Sequence, residues 1–226
     1  MTFKVLAIII AVSLLGGLCV HAQTSQQWRD SLSVLSKQIS QEPYSSDLYL
    51  RKAAVNIELQ QWDYAHQTYT EVLKHEPTNL AALYYRGFVN GKMRRYDLAS
   101  ADYKTFLTYA PTNIEARLGL AYTLVKRGKR FDALDQYNTI VEQHPDSAVA
   151  YASRACLEED MGQYDTALFD WEKAISLSPS NNDYLLSKAN LLVKMNHKSD
   201  ARKCINELLQ RGVARADIEE LLKLCK

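Results

Sequence analysis

Residues 77–111 read PTNLAALYYRGFVNGKMRRYDLASADYKTFLTYAP, a stretch that begins and ends with a proline. The same interval of 34 residues separates all five prolines of the chain, which are Pro43, Pro77, Pro111, Pro145 and Pro179. So regular a spacing indicates a structural repeat, because composition alone does not place one residue type at a fixed interval. The prolines therefore set the register in which the other residues are compared.

In this register, with Ser46 at position 1, two columns separate small residues from bulky ones. Position 20 is alanine in every repeat: Ala65, Ala99, Ala133, Ala167 and Ala201. Position 24 is bulky: Tyr69, Tyr103, Tyr137, Trp171 and Ile205. Small residues let two helices approach closely, and bulky residues at positions 24 and 28 share one helix face. The pattern predicts a hairpin of two helices per repeat, over about positions 1–14 and 17–30, with the proline ending the second helix.

These columns closely resemble the tetratricopeptide repeat family. In the fourth repeat the resemblance is carried by Tyr151, Ala155, Gly162, Tyr164, Ala167, Trp171 and Pro179. Membership implies an all-α fold, a right-handed α-solenoid of helical hairpins with a capping helix at each end. The expected organisation is a signal peptide over residues 1–22, a capping helix over 23–45, repeats over 46–79, 80–113, 114–147, 148–181 and 182–215, the last one degenerate, and a capping helix over 216–226.

The first 22 residues have the features of a secretory signal. A single positive charge, Lys4, precedes the almost wholly apolar stretch 5–15, and small residues end at Ala22. Signal peptidases cleave after such a sequence, which here places the mature N-terminus at Gln23.

Two other interpretations of this segment are less favoured. The apolar run 5–20 is shorter than the roughly 20 residues that a membrane span needs. A lipoprotein signal is disfavoured because Leu18, and not a small residue, precedes Cys19. The sequence therefore predicts an exported protein, periplasmic or associated with the cell envelope, without a stable membrane span after cleavage.

Composition and motifs argue against two classes of function. The 226 residues include 27 Lys and Arg against 26 Asp and Glu, so no bulk charge attracts nucleic acid. The sequence contains no nucleophile elbow, zinc-hydrolase motif, phosphate loop or dinucleotide fingerprint. We expect a protein that is not an enzyme, binds no nucleic acid and holds no cofactor or metal.

Acidic residues and cysteines leave two local alternatives. The run Glu158-Glu159-Asp160 is interpreted as a solvated helix end in preference to a pair of acid and base catalysts. Cys204 and Cys225 could pair if their helices are antiparallel neighbours, but buried free thiols are the favoured interpretation.

One candidate binding surface follows from the family resemblance, which implies that one face of each repeat's first helix lines a concave groove. Residues of that face are apolar or aromatic in the first three repeats, and aromatic side chains are common interface anchors. The alternative, that they only pack against neighbouring helices, has equal weight. The groove candidates are Leu50, Tyr84, Phe88, Leu118, Tyr122 and Val125.

A second candidate surface is the edge formed by the turns inside the hairpins. The basic ridge, as we call it, comprises Lys92, Arg94, Arg95, Lys126, Arg127, Lys129 and Arg130. Cations at the ends of helices also stabilise the helix dipole, so ordinary solvated turns are the favoured interpretation. A functional ridge would contact an acidic protein, an anionic polymer or lipid head groups.

The expected function is that of an exported, non-catalytic scaffold that binds a protein or peptide, such as an adaptor in an envelope assembly or secretion complex. The alternative is an accessory subunit that positions a cell-wall or polysaccharide enzyme.

Overall fold

A computed structural model describes residues 24–225, so the expected signal peptide lies outside the described residues. In this range the chain forms twelve α-helices, one 3-10 turn and no strand, which confirms the all-α fold class. Two compact units are distinguished, the first ending at Thr68 and the second beginning at Tyr69, and each is described by itself. The helices are α1 (Ser25–Gln41), α2 (Ser46–Glu58), α3 (Trp62–His75), α4 (Leu80–Lys92), α5 (Tyr96–Tyr109), α6 (Ile114–Lys126), α7 (Arg130–Gln143), α8 (Ala148–Asp160), α9 (Tyr164–Leu177), α10 (Asn182–Lys194), α11 (Lys198–Gln210) and α12 (Glu219–Leu224).

Helix boundaries in the second unit follow from local chemistry. The side chain of Asn79 caps α4 by accepting a hydrogen bond from the backbone N–H of Ala82 at 3.0 Å. Asn113 caps α6 in the same way, through the N–H of Ala116 at 2.8 Å. Such caps satisfy backbone donors that a helix start leaves unpaired, and each contributes about 1 kcal/mol. Consecutive helices from α4 to α11 then pack against one another as hairpins.

The reversal inside each hairpin uses one residue with a left-handed backbone. These residues all occupy position 15 of the repeat: Gln60, Arg94, Gly128, Gly162 and Asn196. Gly91 lies inside α4, and the turn that follows this helix contains Arg94, which has a φ of 59°. Glycine adopts this conformation without steric cost, whereas arginine does not.

Small residues bring the helices close together, as the columns predict. The five alanines of position 20 have 0% exposure. Tyr103 of α5 is also buried, with its ring between Gly87 of α4 and Gly119 of α6. A Cβ atom added to Gly119 would lie 2.5 Å from the Cζ atom of Tyr103, so only glycine leaves room for this ring. Helix α6 therefore packs on α5 through a contact that a methyl group would block.

Two buried ion pairs recur at equivalent positions of the second and fourth repeats. Arg86 of α4 donates to the carboxylate of Asp102 at 2.6 Å, and the side chain of Asn90 donates to the same carboxylate at 3.0 Å. Arg154 of α8 donates to both oxygens of Asp170, at 2.6 and 2.8 Å. Each arginine thus joins the two helices of its hairpin through a buried aspartate.

Glu158 occupies the place in the fourth repeat that Asn90 holds in the second. It is only 7% exposed, and its Oε2 atom has no hydrogen-bond partner. Burial, followed by the nearby carboxylate of Asp170, raises the pKa of Glu158 to about 7, against the opposing effects of Arg154 and the hydroxyl of Thr166. The interpretation of Glu158 as part of a solvated run is therefore wrong.

Replacing Glu158 with glutamine is expected to stabilise the protein above pH 7 and to have little effect near pH 4.5. Between these values the folded protein retains a proton that the unfolded chain releases, so the free energy of unfolding falls as the pH rises. At pH 8 the difference should be about 1–3 kcal/mol, measured by urea unfolding across this range. The matched control is Asp160→Asn, which removes an exposed carboxylate from the same helix. A pH-independent difference for Glu158→Gln would contradict the assignment.

The C-terminal segment is less regular than the expected single helix over 216–226. A 3-10 turn, Arg215–Ile218, precedes the short helix α12, because Ile218 has a φ of −122° and a ψ of 12° and is not helical. Ile218, Leu221 and Cys225 are buried in one apolar cluster with Cys204. Both thiols are free in the structure. This segment covers the apolar end of the last hairpin.

Candidate functional site

The groove candidates lie on first helices of the hairpins, and five of the six lie in the second unit. Tyr84 and Phe88 are on α4, and Leu118, Tyr122 and Val125 are on α6, a helix in contact with α4. Leu50 is on α2 in the first unit, where it is half-buried. The structure thus brings two consecutive sets of candidates together, on α4 and α6.

Tyr84 takes part in packing. Its ring lies edge-on to Tyr85 at 5.1 Å and to Tyr103 at 5.8 Å, and Phe106 is 6.0 Å away. Burial is the largest cause that raises the pKa of the Tyr84 hydroxyl. Tyr84 is therefore mainly a packing residue beneath the groove surface of α4, and it is not a free interface anchor.

Phe88 and Tyr122 stand at the same position of consecutive repeats and form the same contact. The ammonium group of Lys92 lies 5.1 Å from the ring centre of Phe88, and that of Lys126 lies 5.3 Å from the ring centre of Tyr122. Such cation–π contacts contribute about 0.5–1 kcal/mol at exposed sites. Tyr122 is 49% exposed and Phe88 is half-buried, so the pair presents aromatic surface that other described side chains do not fully cover.

The basic ridge is contiguous across two neighbouring turns. Arg127, in the turn after α6, forms an ion pair with Asp97 of α5 at 2.5 Å. Lys129 lies 3.9 Å from the carboxylate of Asp132. Six of the seven ridge residues are exposed, and Arg127 is half-buried. Sequence reasoning missed the carboxylates of Asp97 and Asp132, each of which stands two residues beyond the end of a basic run.

The corresponding edge of the fourth repeat is acidic and largely occupied by internal contacts. The carboxylate of Glu159 accepts hydrogen bonds from Trp171 Nε1 at 2.7 Å and from Lys194 Nζ at 2.9 Å. With Glu158 buried, only Asp160 of the acidic run is solvated. The two contacts join α8 to α9 and α10, so Glu159 has a structural role.

Two features are absent from residues 24–225. No group of three or more histidine, cysteine, aspartate or glutamate side chains is placed to hold a metal ion. None of the helices in this range has both the length and the apolar character needed to cross a bilayer.

The helical hairpins, their common turn geometry and their alanine contacts define the chain as a helical-repeat protein. Two family models described as tetratricopeptide repeat match residues 92–156 and 148–181. Residues 92–181 of the chain therefore consist of tetratricopeptide repeats.

Comparisons with individual proteins support the fold. DnaJ homolog subfamily C member 3 of Mus musculus is 29% identical over 103 residues, which are 46% of this chain and 20% of that protein. The chain thus spans about a fifth of the length of this relative. The structure of MamA from Desulfovibrio magneticus RS-1 superposes with a TM-score of 0.67 at 18% identity, covering 74% of this chain and 94% of that one. YrrB, described as a TPR protein with an unusual peptide-binding site, superposes with a TM-score of 0.62 at 18% identity, covering 78% of this chain and 91% of that one.

Proposed function

We propose that the protein is an exported, non-catalytic scaffold that binds a protein or peptide through the groove surface of α4 and α6. The most specific role that fits is an adaptor in an envelope assembly or secretion complex. The proposal is carried by one observation, the pair of aromatic rings on consecutive first helices, Phe88 and Tyr122, each with a lysine over its face.

The geometry of the pair suits peptide binding. Rigid aromatic side chains lose little conformational entropy on binding, and they are enriched among the residues that contribute most to interfaces. Helices in contact, as α4 and α6 are, have axes about 8–10 Å apart, which corresponds to about three residues of an extended peptide. YrrB, which has the same fold, is described as having an unusual peptide-binding site. Export is supported by the sequence of residues 1–22.

Replacing Phe88 and Tyr122 together with alanine is expected to abolish recovery of the native partner, because truncating such anchors costs about 2 kcal/mol or more each in binding. The measurement is affinity purification of the tagged full-length chain from the envelope of its natural host, followed by mass spectrometry. The intact mass of the recovered bait also reports whether the mature chain begins at Gln23. Helicity, measured by circular dichroism, should change little.

The matched control is Tyr109→Ala with Phe169→Ala. Both side chains are exposed aromatics on second helices of hairpins, and Phe169 also lies under a lysine, Lys173, at 5.6 Å. This variant should recover the partner normally. Equal loss of partner recovery in both variants, or undiminished recovery by the groove variant, would contradict a binding site in the groove. Recovery of assembly-complex subunits supports the adaptor role, whereas one dominant hydrolase or synthase supports an accessory subunit.

A further inference from the structure

We propose that the basic ridge, which adjoins the groove at Lys92 and Lys126, is a second docking surface that binds an acidic polypeptide segment. The inference rests on the proposed scaffold function and adds the chemistry of a second partner segment. It depends on three features of the ridge: its placement against local helix preferences, its excess of charge and its narrow shape.

Four of the seven ridge cations are unfavourably placed, because three lie at helix N-termini and one has a left-handed backbone. Arg95 and Lys129 are the N-cap residues of α5 and α7, and Arg130 is the first residue of α7. The N-terminus of a helix carries partial positive charge, so cations there are mildly destabilising. The fourth, Arg94, has a left-handed backbone that costs an arginine roughly 1 kcal/mol. The other three lie where a cation is favoured: Lys92 and Lys126 are the final residues of their helices, and Arg127 is the C-cap of α6.

Side-chain pairing leaves part of the ridge charge uncompensated. Among the ridge cations other than Arg95, Arg127 pairs with Asp97 and Lys129 with Asp132. The pair between Lys129 and Asp132 is exposed and 3.9 Å long, so it contributes little. Local departures of this kind, in which several residues contradict the preferences of their positions, are typical of functional surfaces. The positive charge of Arg94, Lys129 and Arg130 is therefore available to a partner.

The width of the ridge favours a polypeptide segment over a membrane. Two turns supply the cations, and the ion pair between Arg127 and Asp97 shows that these turns lie side by side. Exposed carboxylates flank them, including Asp160 and Asp165 at the next hairpin. A flat anionic bilayer would bring its charges against these carboxylates as well, whereas a narrow segment need not. Acidic residues about three apart in an extended segment would match the spacing of the two helices.

The test uses the full mature chain and a fluorescent peptide of four Glu-Ser-Ser units. Binding is measured by fluorescence anisotropy at 50 mM and 300 mM salt. The variant Arg94→Glu, Lys129→Glu, Arg130→Glu should weaken binding at least tenfold at 50 mM. The natural protein should itself bind more weakly at 300 mM, since salt screens exposed charges.

Two controls make the result specific. Lys37→Glu, Lys104→Glu, Arg202→Glu changes the net charge equally at exposed residues outside the ridge, and it should stay within twofold of the natural protein. The groove variant Phe88→Ala, Tyr122→Ala should also bind the acidic peptide within twofold. If it does so while losing the native partner, the two surfaces act separately.

Three results would overturn the proposal: no binding of the acidic peptide by the natural protein at 50 mM salt, equal weakening in both charge-reversal variants, or binding to phosphatidylglycerol vesicles without binding to the peptide. None of these concerns the groove. If the ridge fails these tests while Phe88→Ala, Tyr122→Ala still abolishes partner recovery, the proposed scaffold function stands and only the ridge is excluded.

Discussion

Replacing Asp170 with asparagine is expected to destabilise the protein by about 3–5 kcal/mol, the loss typical when one member of a buried ion pair is removed. Asp170 is 1% exposed and accepts two hydrogen bonds from Arg154, which also donates to the side chain of Asn138 at 2.9 Å. The substitution leaves the guanidinium buried without its counter-charge. Urea unfolding at pH 7, monitored by circular dichroism, measures the change.

Glu158 provides an internal check on this prediction. When the negative charge of Asp170 is removed, one cause of the raised pKa of Glu158 disappears, and its carboxylate can partly replace the missing counter-charge. The double variant Asp170→Asn, Glu158→Gln should therefore lose more stability than the sum of the single changes. Glu172→Gln, which breaks the more exposed pair with Lys188, is the control and should cost at most about 1 kcal/mol. A cost for Asp170→Asn as small as this would mean that the buried pair does not hold the hairpin.

The substitution Gly119→Ala should destabilise the protein by about 1–3 kcal/mol, although alanine is the better helix former. Propensity alone would favour alanine by about 0.5–1 kcal/mol. The new Cβ atom, however, would meet three ring atoms of the buried Tyr103 at 2.5 to 2.9 Å, and either the ring or helix α6 must shift. Thermal unfolding is the measurement.

Gly91 offers a matched substitution of the opposite sign. It also lies within a helix, α4, but a Cβ atom there would meet no other atom within 4 Å. Gly91→Ala should therefore raise the free energy of unfolding by about 0.5–1 kcal/mol. If both substitutions changed the midpoint in the same direction, the packing of Tyr103 against α6 would not be the deciding contact.

The repeat and the helix pairs were predictable because their causes are local and occur five times. A proline interval, an alanine column and a bulky column each constrain the same hairpin. An irregular residue in one repeat therefore does not change the predicted fold. The buried ion pairs were missed although a signal existed: arginine at position 7 accompanies aspartate at position 23 in the second and fourth repeats. That coincidence becomes informative only when polar columns are compared as closely as apolar ones.

Other details depend on three-dimensional placement that no single column contains. The run Glu158-Glu159-Asp160 has uniform chemistry, yet one carboxyl is buried, one bridges three helices and one is solvated, because adjacent helix residues point about 100° apart. Likewise, Tyr84 and Phe88 share one candidate face, but only contact distances show that Tyr84 packs among other rings.

At position 94, heat resistance and surface charge favour different residues. The left-handed backbone of Arg94 would be relaxed by glycine, the residue that two other hairpins already use at the same position. An engineer seeking a more heat-resistant protein would choose that substitution first, and would remove a cation from the ridge by doing so. Library screens that score only melting temperature would therefore select against the ridge, and variants of this protein are best selected on heat resistance and acidic-peptide affinity together.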